Sequence, residues 1–211
     1  MAQMEDVLDV YERPSDPQRP QVCLDETSKQ LVGEVREPLP PYPGAPTRAD
    51  YEYERKGVAN LFLITEPLRG WRHLTVTDQR TAVDFAHVIR ALVDVRSPEA
   101  ERIVLVLDNL NTHTPAALYA AFPPEEAHRL ATKLEWHYTP KHGSWLNIAE
   151  LEFSVLARQW LDRRIADKAV LKGEIALWQA RRNHAGTGVR WHFRTADARV
   201  KLHRLYPSIP E

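Results

Sequence analysis

Cysteine is all but absent: Cys23 stands alone in 211 residues. That excludes a disulfide framework and a cysteine-built zinc site, and it agrees with a reducing compartment. No apolar run approaches the roughly 20 residues of a membrane span, so no membrane partner is expected. The opening MAQMEDVLDVYERP is acidic and lacks the apolar core of a signal peptide. A cytoplasmic location follows as the expectation. A charge excess is missing too. The net charge is -1, whereas a free-standing nucleic-acid binder is usually basic. There is no internal repeat, and most of the histidines show no zinc-ligand spacing.

The length suits one sizeable domain with a small appendage, and an apolar content of 43% is enough for a core. Charge is unevenly spread. The N-terminal quarter carries Glu5, Asp6, Asp9, Glu12, Asp16, Asp25, Glu26, Glu34 and Glu37. After Arg181 come Arg182, Arg190, Arg194, Arg199, Lys201 and Arg204 against Asp197. A solvated helix face explains that basic bias as readily as a phosphate-binding one.

Residues 1–20 end in the proline-rich RPSDPQRP and read as a linker or N-terminal arm, with an initiating helix over 5–11. Residues 21–24 form a short apolar strand ending at Asp25. The stretch Asp25-Glu26-Thr27-Ser28 is expected to turn the chain, and 30–35 to return as a strand. A proline-dense loop over 37–48 can be neither helix nor central strand. The runs 58–65 and 71–77 make a hairpin across 66–70. A helix over 81–95 precedes a fully buried strand over 103–107. Helices over 115–122 and 125–132 lead to an alternating strand over 134–138. Ser144 is the expected N-cap of a helix running to about Arg164. Further helices are expected over about 168–183 and 196–205, before Pro207. A hairpin followed by strand–helix units gives an α/β fold: a mixed sheet flanked by helices.

Asp25 and Asp108 each follow an apolar strand. In open α/β sheets ligands bind outside the carboxyl ends of strands, so these two carboxylates converge if their strands are neighbours. Glu150, near the start of an otherwise apolar helix, can join them. A turn acid accounts for Asp25 and a dipole-favoured first-turn acid for Glu150 equally well. Glu152 is a rival for Glu150; it lies roughly 200° further round the helix, so both cannot face one site. Three close acids repel unless a cation sits among them. Oxygen-only ligands favour Mg²⁺ or Mn²⁺, and two such ions about 3.5–4 Å apart suit in-line displacement at a phosphodiester. Asn109 and His113 lie beyond the second strand, where they can orient a phosphate or a water, or serve loop hydrogen bonding alone. Lys141 and His142 precede the helix, where basic side chains can meet a phosphate. Trp145 reads as core.

The stretch IVLVLDNLNTH resembles the second-aspartate motif of DDE transposases, and TPKHGSWLNIAE resembles their closing Pro…Leu-Asn-x-x-Glu motif. VCLDET is similar to the first-aspartate strand. Together they resemble bacterial insertion-sequence transposases of the mariner-like DDE superfamily, over about residues 20–165. The resemblance implies an RNase H-like, retroviral-integrase-like fold with residues 21–165 as the catalytic domain and 166–211 a helical extension packed on it. It implies Asp25, Asp108 and Glu150 as the metal-binding catalytic triad, with two Mg²⁺ or Mn²⁺ ions. The activity implied is cleavage of DNA at transposon ends and strand transfer to target DNA, by a homodimer acting at the bacterial nucleoid. The match around Leu-Asn-Ile-Ala-Glu favours Glu150 over Glu152. Family members also carry an N-terminal helix-turn-helix region, for which there is no room before Asp25. The alternatives are an inert remnant or regulator that associates with full-length copies, and another RNase H-like nuclease.

Overall fold

The computed structural model describes residues 1–44, 46, 48 and 50–206. Ala45 and Thr47 of the proline-dense loop, and Pro207, lie outside the described residues. Five strands form one sheet in the order β3-β2-β1-β4-β5. These are β1 (Gln21–Glu34), β2 (Tyr53–Glu66), β3 (Trp71–Thr77), β4 (Ile103–Leu107) and β5 (Leu134–Tyr138). β2 runs antiparallel to its neighbours β1 and β3; β4 and β5 are parallel to β1.

All five residues of β4 are buried, as its unbroken apolar run requires of a strand covered on both faces. Its alternation divides the core. Val104 and Val106 enter one cluster with α1 (Ala2–Glu12), α5 (Ile148–Leu156) and α6 (Lys168–Ala185). Ile103, Leu105 and Leu107 enter the other with α2 (Ala82–Ala91), α3 (Pro115–Ala121) and α4 (Pro124–Thr132). A further helix, α7 (Thr195–Lys201), contributes Ala198 to the first cluster.

Three expectations are corrected. Asp25-Ser28 is no turn. β1 runs through it, and its polar second half pairs with β2 from Cys23↔Thr65 to Glu34↔Tyr53. Residues 1–20 are not simply an arm outside the core, because α1 buries Met4, Val7, Leu8, Val10 and Tyr11. Its i, i+3, i+4 apolar spacing supplies a stripe that the sheet covers. Helix α5 starts at Ile148, not at Ser144; a single 3₁₀ turn (Ser144–Leu146) comes first, and Asn147 is the N-cap.

Helix α6 also guards the sheet edge. The Asn183 side chain accepts from the Arg72 backbone N–H at 2.9 Å and donates to its carbonyl at 2.8 Å. Gln179 accepts from the Leu74 N–H at 2.8 Å. These amides satisfy backbone groups that an edge strand otherwise presents to other chains. The turn before β3 comes close to the end of α6: a Cβ on Gly70, which has φ +68°, would stand 2.5 Å from the Gly186 carbonyl oxygen.

Candidate active site

Strand periodicity aims the acids. Cys23 belongs to the α5-side cluster and Leu24 to the opposite one. Asp25, two residues beyond Cys23, therefore faces α5, and Glu26 faces the α2–α3 side. The parallel pairing of β1 with β4 ends at Cys23↔Val106, so β1 continues alone past the end of β4. Asp25 sits at that parting and Asp108 directly follows β4. Glu150 is the third residue of α5, packed across the same end of the sheet. The three carboxylates line one cleft of about 450 Å³, together with Glu26, Ser144 and Asn147.

Helix α5 is fastened at this point. Asn147 Nδ2 donates to the Leu24 carbonyl at 2.9 Å while its Oδ1 accepts from the Ala149 N–H at 3.1 Å. The Tyr11 hydroxyl donates to the Leu146 carbonyl at 2.6 Å. Asn147→Ala removes a cap and leaves a buried carbonyl unpaired, so a loss of about 2–3 kcal/mol is expected in urea unfolding. Because the same residue sets the distance from Glu150 to Asp25, metal affinity should fall with it.

Burial pushes the Asp25 carboxyl up to about 7, with the charges of Asp108, Glu26 and Glu150 adding to the rise. The Glu26 backbone N–H, 2.9 Å from Asp25 Oδ1, opposes it. An acid whose folded pKa is raised holds its proton longer in the folded chain. Metal-free stability from this group thus declines as pH rises from about 4 to about 7. A cation must displace that proton. The apparent Mn²⁺ affinity should therefore tighten about tenfold per pH unit up to about 7 and level off above, read by titration calorimetry.

His113 is wholly buried and bridges Asp108, through Nδ1, and Glu26, through Nε2. Burial alone would lower its pKa; the bonds to Asp108 and Glu26 outweigh that and carry it up to about 9. The stability this imidazolium contributes is complete below about 6.5 and lost as pH rises through about 9. Phe85 packs on its ring at 4.6 Å between centroids. Of the two readings open for His113, orienting a phosphate or water and internal hydrogen bonding, the structure holds the second: both ring nitrogens face carboxylates. Asn109, Lys141 and His142 are exposed in the loops that follow β4 and β5, and His142 adopts φ 63°.

Glu152 points elsewhere. It receives Arg182 Nη2 at 2.9 and 3.1 Å and stands 3.1 Å from Arg72 Nε. Trp145 is not core: it is 43% exposed and stacks on Trp191 at 6.2 Å. Sequence reasoning missed Glu26 and the anchoring role of Asn147. The signal for Glu26 was strand alternation after Asp25, hidden by reading a turn there.

The donors suit a hard divalent cation: three carboxylates on one cleft, with Glu150 Oε2 buried and without a hydrogen-bond partner. Among the described residues no three His, Cys, Asp or Glu side chains already stand close enough to hold one ion.

A mixed sheet in this order, with acids at the parting of its central strands, is an RNase H-like fold. The chain belongs to the DDE superfamily endonucleases, whose family model matches residues 20–172. It is similar in fold to a Mos1 mariner paired-end complex with Mn (19% identity, TM-score 0.56), over 88% of this chain and 58% of that one. A Mos1 transposase paired-end complex with left transposon end matches at 18% identity and TM-score 0.57, over 88% and 59%. The Mos1 strand transfer complex matches at 17% and 0.56, over 90% and 63%. The chain thus spans about three fifths of the length of these structures. No curated protein sequence matches it. No described helix is long and apolar enough to cross a membrane.

Proposed function

We propose that this chain is the catalytic part of a DNA transposase, cutting phosphodiesters at element ends and joining them to target DNA. In this reading residues 21–165 are the catalytic domain, 166–211 pack upon it, and the active complex is a homodimer. Asp25, Asp108 and Glu150 hold Mg²⁺ or Mn²⁺, two ions in the full complex. The single observation that carries it is that those three acids, from three separate elements, line one cleft. The similar structures, a complex with a transposon end and a strand transfer complex, support a DNA substrate.

Divalent ions held there would supply Lewis-acid activation of an attacking oxygen and charge neutralisation at the leaving one. The chain's own residues do the rest. Asn147 and Tyr11 hold the start of α5 against β1, which fixes where Glu150 stands. His113 holds one Asp108 oxygen from behind, leaving the carboxylate's other oxygen for the cleft. No covalent intermediate on the protein is needed.

The purified chain should convert supercoiled plasmid to nicked circles with Mn²⁺, and chelation should stop it. Nicking that survives chelation sinks the reading. The second reading, an inert remnant or regulator, draws on the spread of the carboxylates. It predicts a folded chain that binds DNA or its own kind and leaves the plasmid intact at every Mn²⁺ concentration.

A further inference from the structure

The basic bias near the C-terminus sorts into two sets. Arg182 is engaged by Glu152, and Arg199 by Glu5 at 2.8 and 3.0 Å. Arg190, His192 and Arg194 make no ion pair among the described residues. They alternate with Trp191 and Phe193 in a stretch without regular secondary structure, between α6 and α7. Alternation sorts the side chains: Arg190, His192 and Arg194 are exposed, while Trp191 and Phe193 are half-buried against the first core cluster.

Trp145 joins this strip to the active site. It stacks on Trp191 at 6.2 Å and meets Phe193 edge-on at 5.9 Å. Its neighbour Ser144 lines the acidic cleft, and Lys141 and His142 stand exposed just before it. A groove of about 460 Å³ is walled by Arg190, Trp191, His192 and Arg194, with Glu12 and Arg13 at the end of α1; Arg13 is engaged by Glu135 at 2.6 Å. Lys201 lies over the Phe193 ring at 5.6 Å. The nearby acid Asp197 is occupied, accepting from the Arg194 N–H at 3.0 Å. Basic side chains without ion-pair partners, held on a row of docked aromatics beside a cleft of acids, match a polyanion whose backbone must be led up to those acids.

We infer that residues 190–194, docked on Trp145, form a track for the DNA phosphate backbone leading to the cleft. This rests on the DNA substrate of the proposed function. Phosphates meet Arg190, His192 and Arg194; Trp145 is a positioning residue that keeps the strip beside Ser144.

The test is fluorescence anisotropy of a labelled duplex with the full chain, without divalent metal, over a series of salt concentrations. Arg190→Gln/Arg194→Gln should weaken binding at least tenfold at low salt. It should also flatten the plot of log affinity against log salt by about 1.8, at about 0.9 for each phosphate no longer neutralised. Arg102→Gln, an exposed arginine at the far end of β4, should change neither by more than twofold. Trp145→Ala should weaken binding, and Trp145→Phe should restore it. Unchanged affinity and slope in the double variant overturn the track, as does an equal loss in Arg102→Gln. If the unaltered chain fails to bind DNA at low salt, the track falls as well. Intact binding without nicking instead sinks the cleavage reading and leaves the track standing.

Discussion

Glu152→Ala is expected to destabilise the chain by about 3–5 kcal/mol, because it strands a buried guanidinium. The Arg72 side chain is 1% exposed and that of Glu152 3%. Burial pushes the Arg72 pKa down, while the Glu152 charge holds it up. Two carbonyls also accept from Arg72, Gly70 at 3.1 Å and Thr187 at 2.8 Å, but neither carries the negative charge to balance it. Arg182 completes the cluster from α6, with its side chain 19% exposed. The carboxylate therefore ties three elements together: α5, β3 and α6. At roughly 2–4 °C per kcal/mol for a domain of this size, thermal unfolding should move down by about 6–20 °C. Arg182→Gln should cost far less, since Arg72 keeps its partner and water reaches the vacated place. A loss below about 1 kcal/mol for Glu152→Ala in urea unfolding would show that the cluster is ornamental to stability.

That cluster was not legible beforehand, and the reason is general to this chain. Local pattern reports what one segment buries; it is silent on which distant segment answers. Strands 103–107 and 134–138 could be placed to the residue because their apolar order is self-contained. The polar run DETSKQ looks like a turn by composition, yet the register with β2 makes it strand. Helix α1 looked detachable because prolines follow it, while its own spacing at Met4, Val7, Leu8 and Tyr11 already fitted a covered stripe. For the site, the motif order singled out Asp25, Asp108 and Glu150, and the sheet draws all three to one cleft. The reach of His113 back to Glu26 needed coordinates, because it joins a loop to a strand 87 positions earlier (113 less 26). The same holds for the basic tail, where only the pairings reveal which arginines are already engaged.

The sharper test of the catalytic assignment sets Glu150 against its neighbour two positions on. Glu150→Gln should lower nicking by at least about a thousandfold, the rate equivalent of the several kcal/mol a bound ion supplies to a phosphoryl transition state. It should weaken Mn²⁺ binding in parallel. Stability should hold, because Glu150 Oε2 is buried without a hydrogen-bond partner and its charge is one of those that press on Asp25. Taking that charge away should lower the Asp25 pKa only a little from about 7, because burial is the larger cause of its rise and stays in place, a shift visible by carboxyl NMR titration. Glu152→Gln should give the opposite pair of results: a lower unfolding midpoint, with Mn²⁺ affinity kept wherever the chain is folded. The two acids share a helix, so a general loosening of α5 would impair both readouts in both variants. Only a carboxylate facing the cleft and another facing Arg72 produce the crossed pattern. Should Glu150→Gln cut DNA at the unaltered rate, the third ligand is misassigned and the assembled site falls with it.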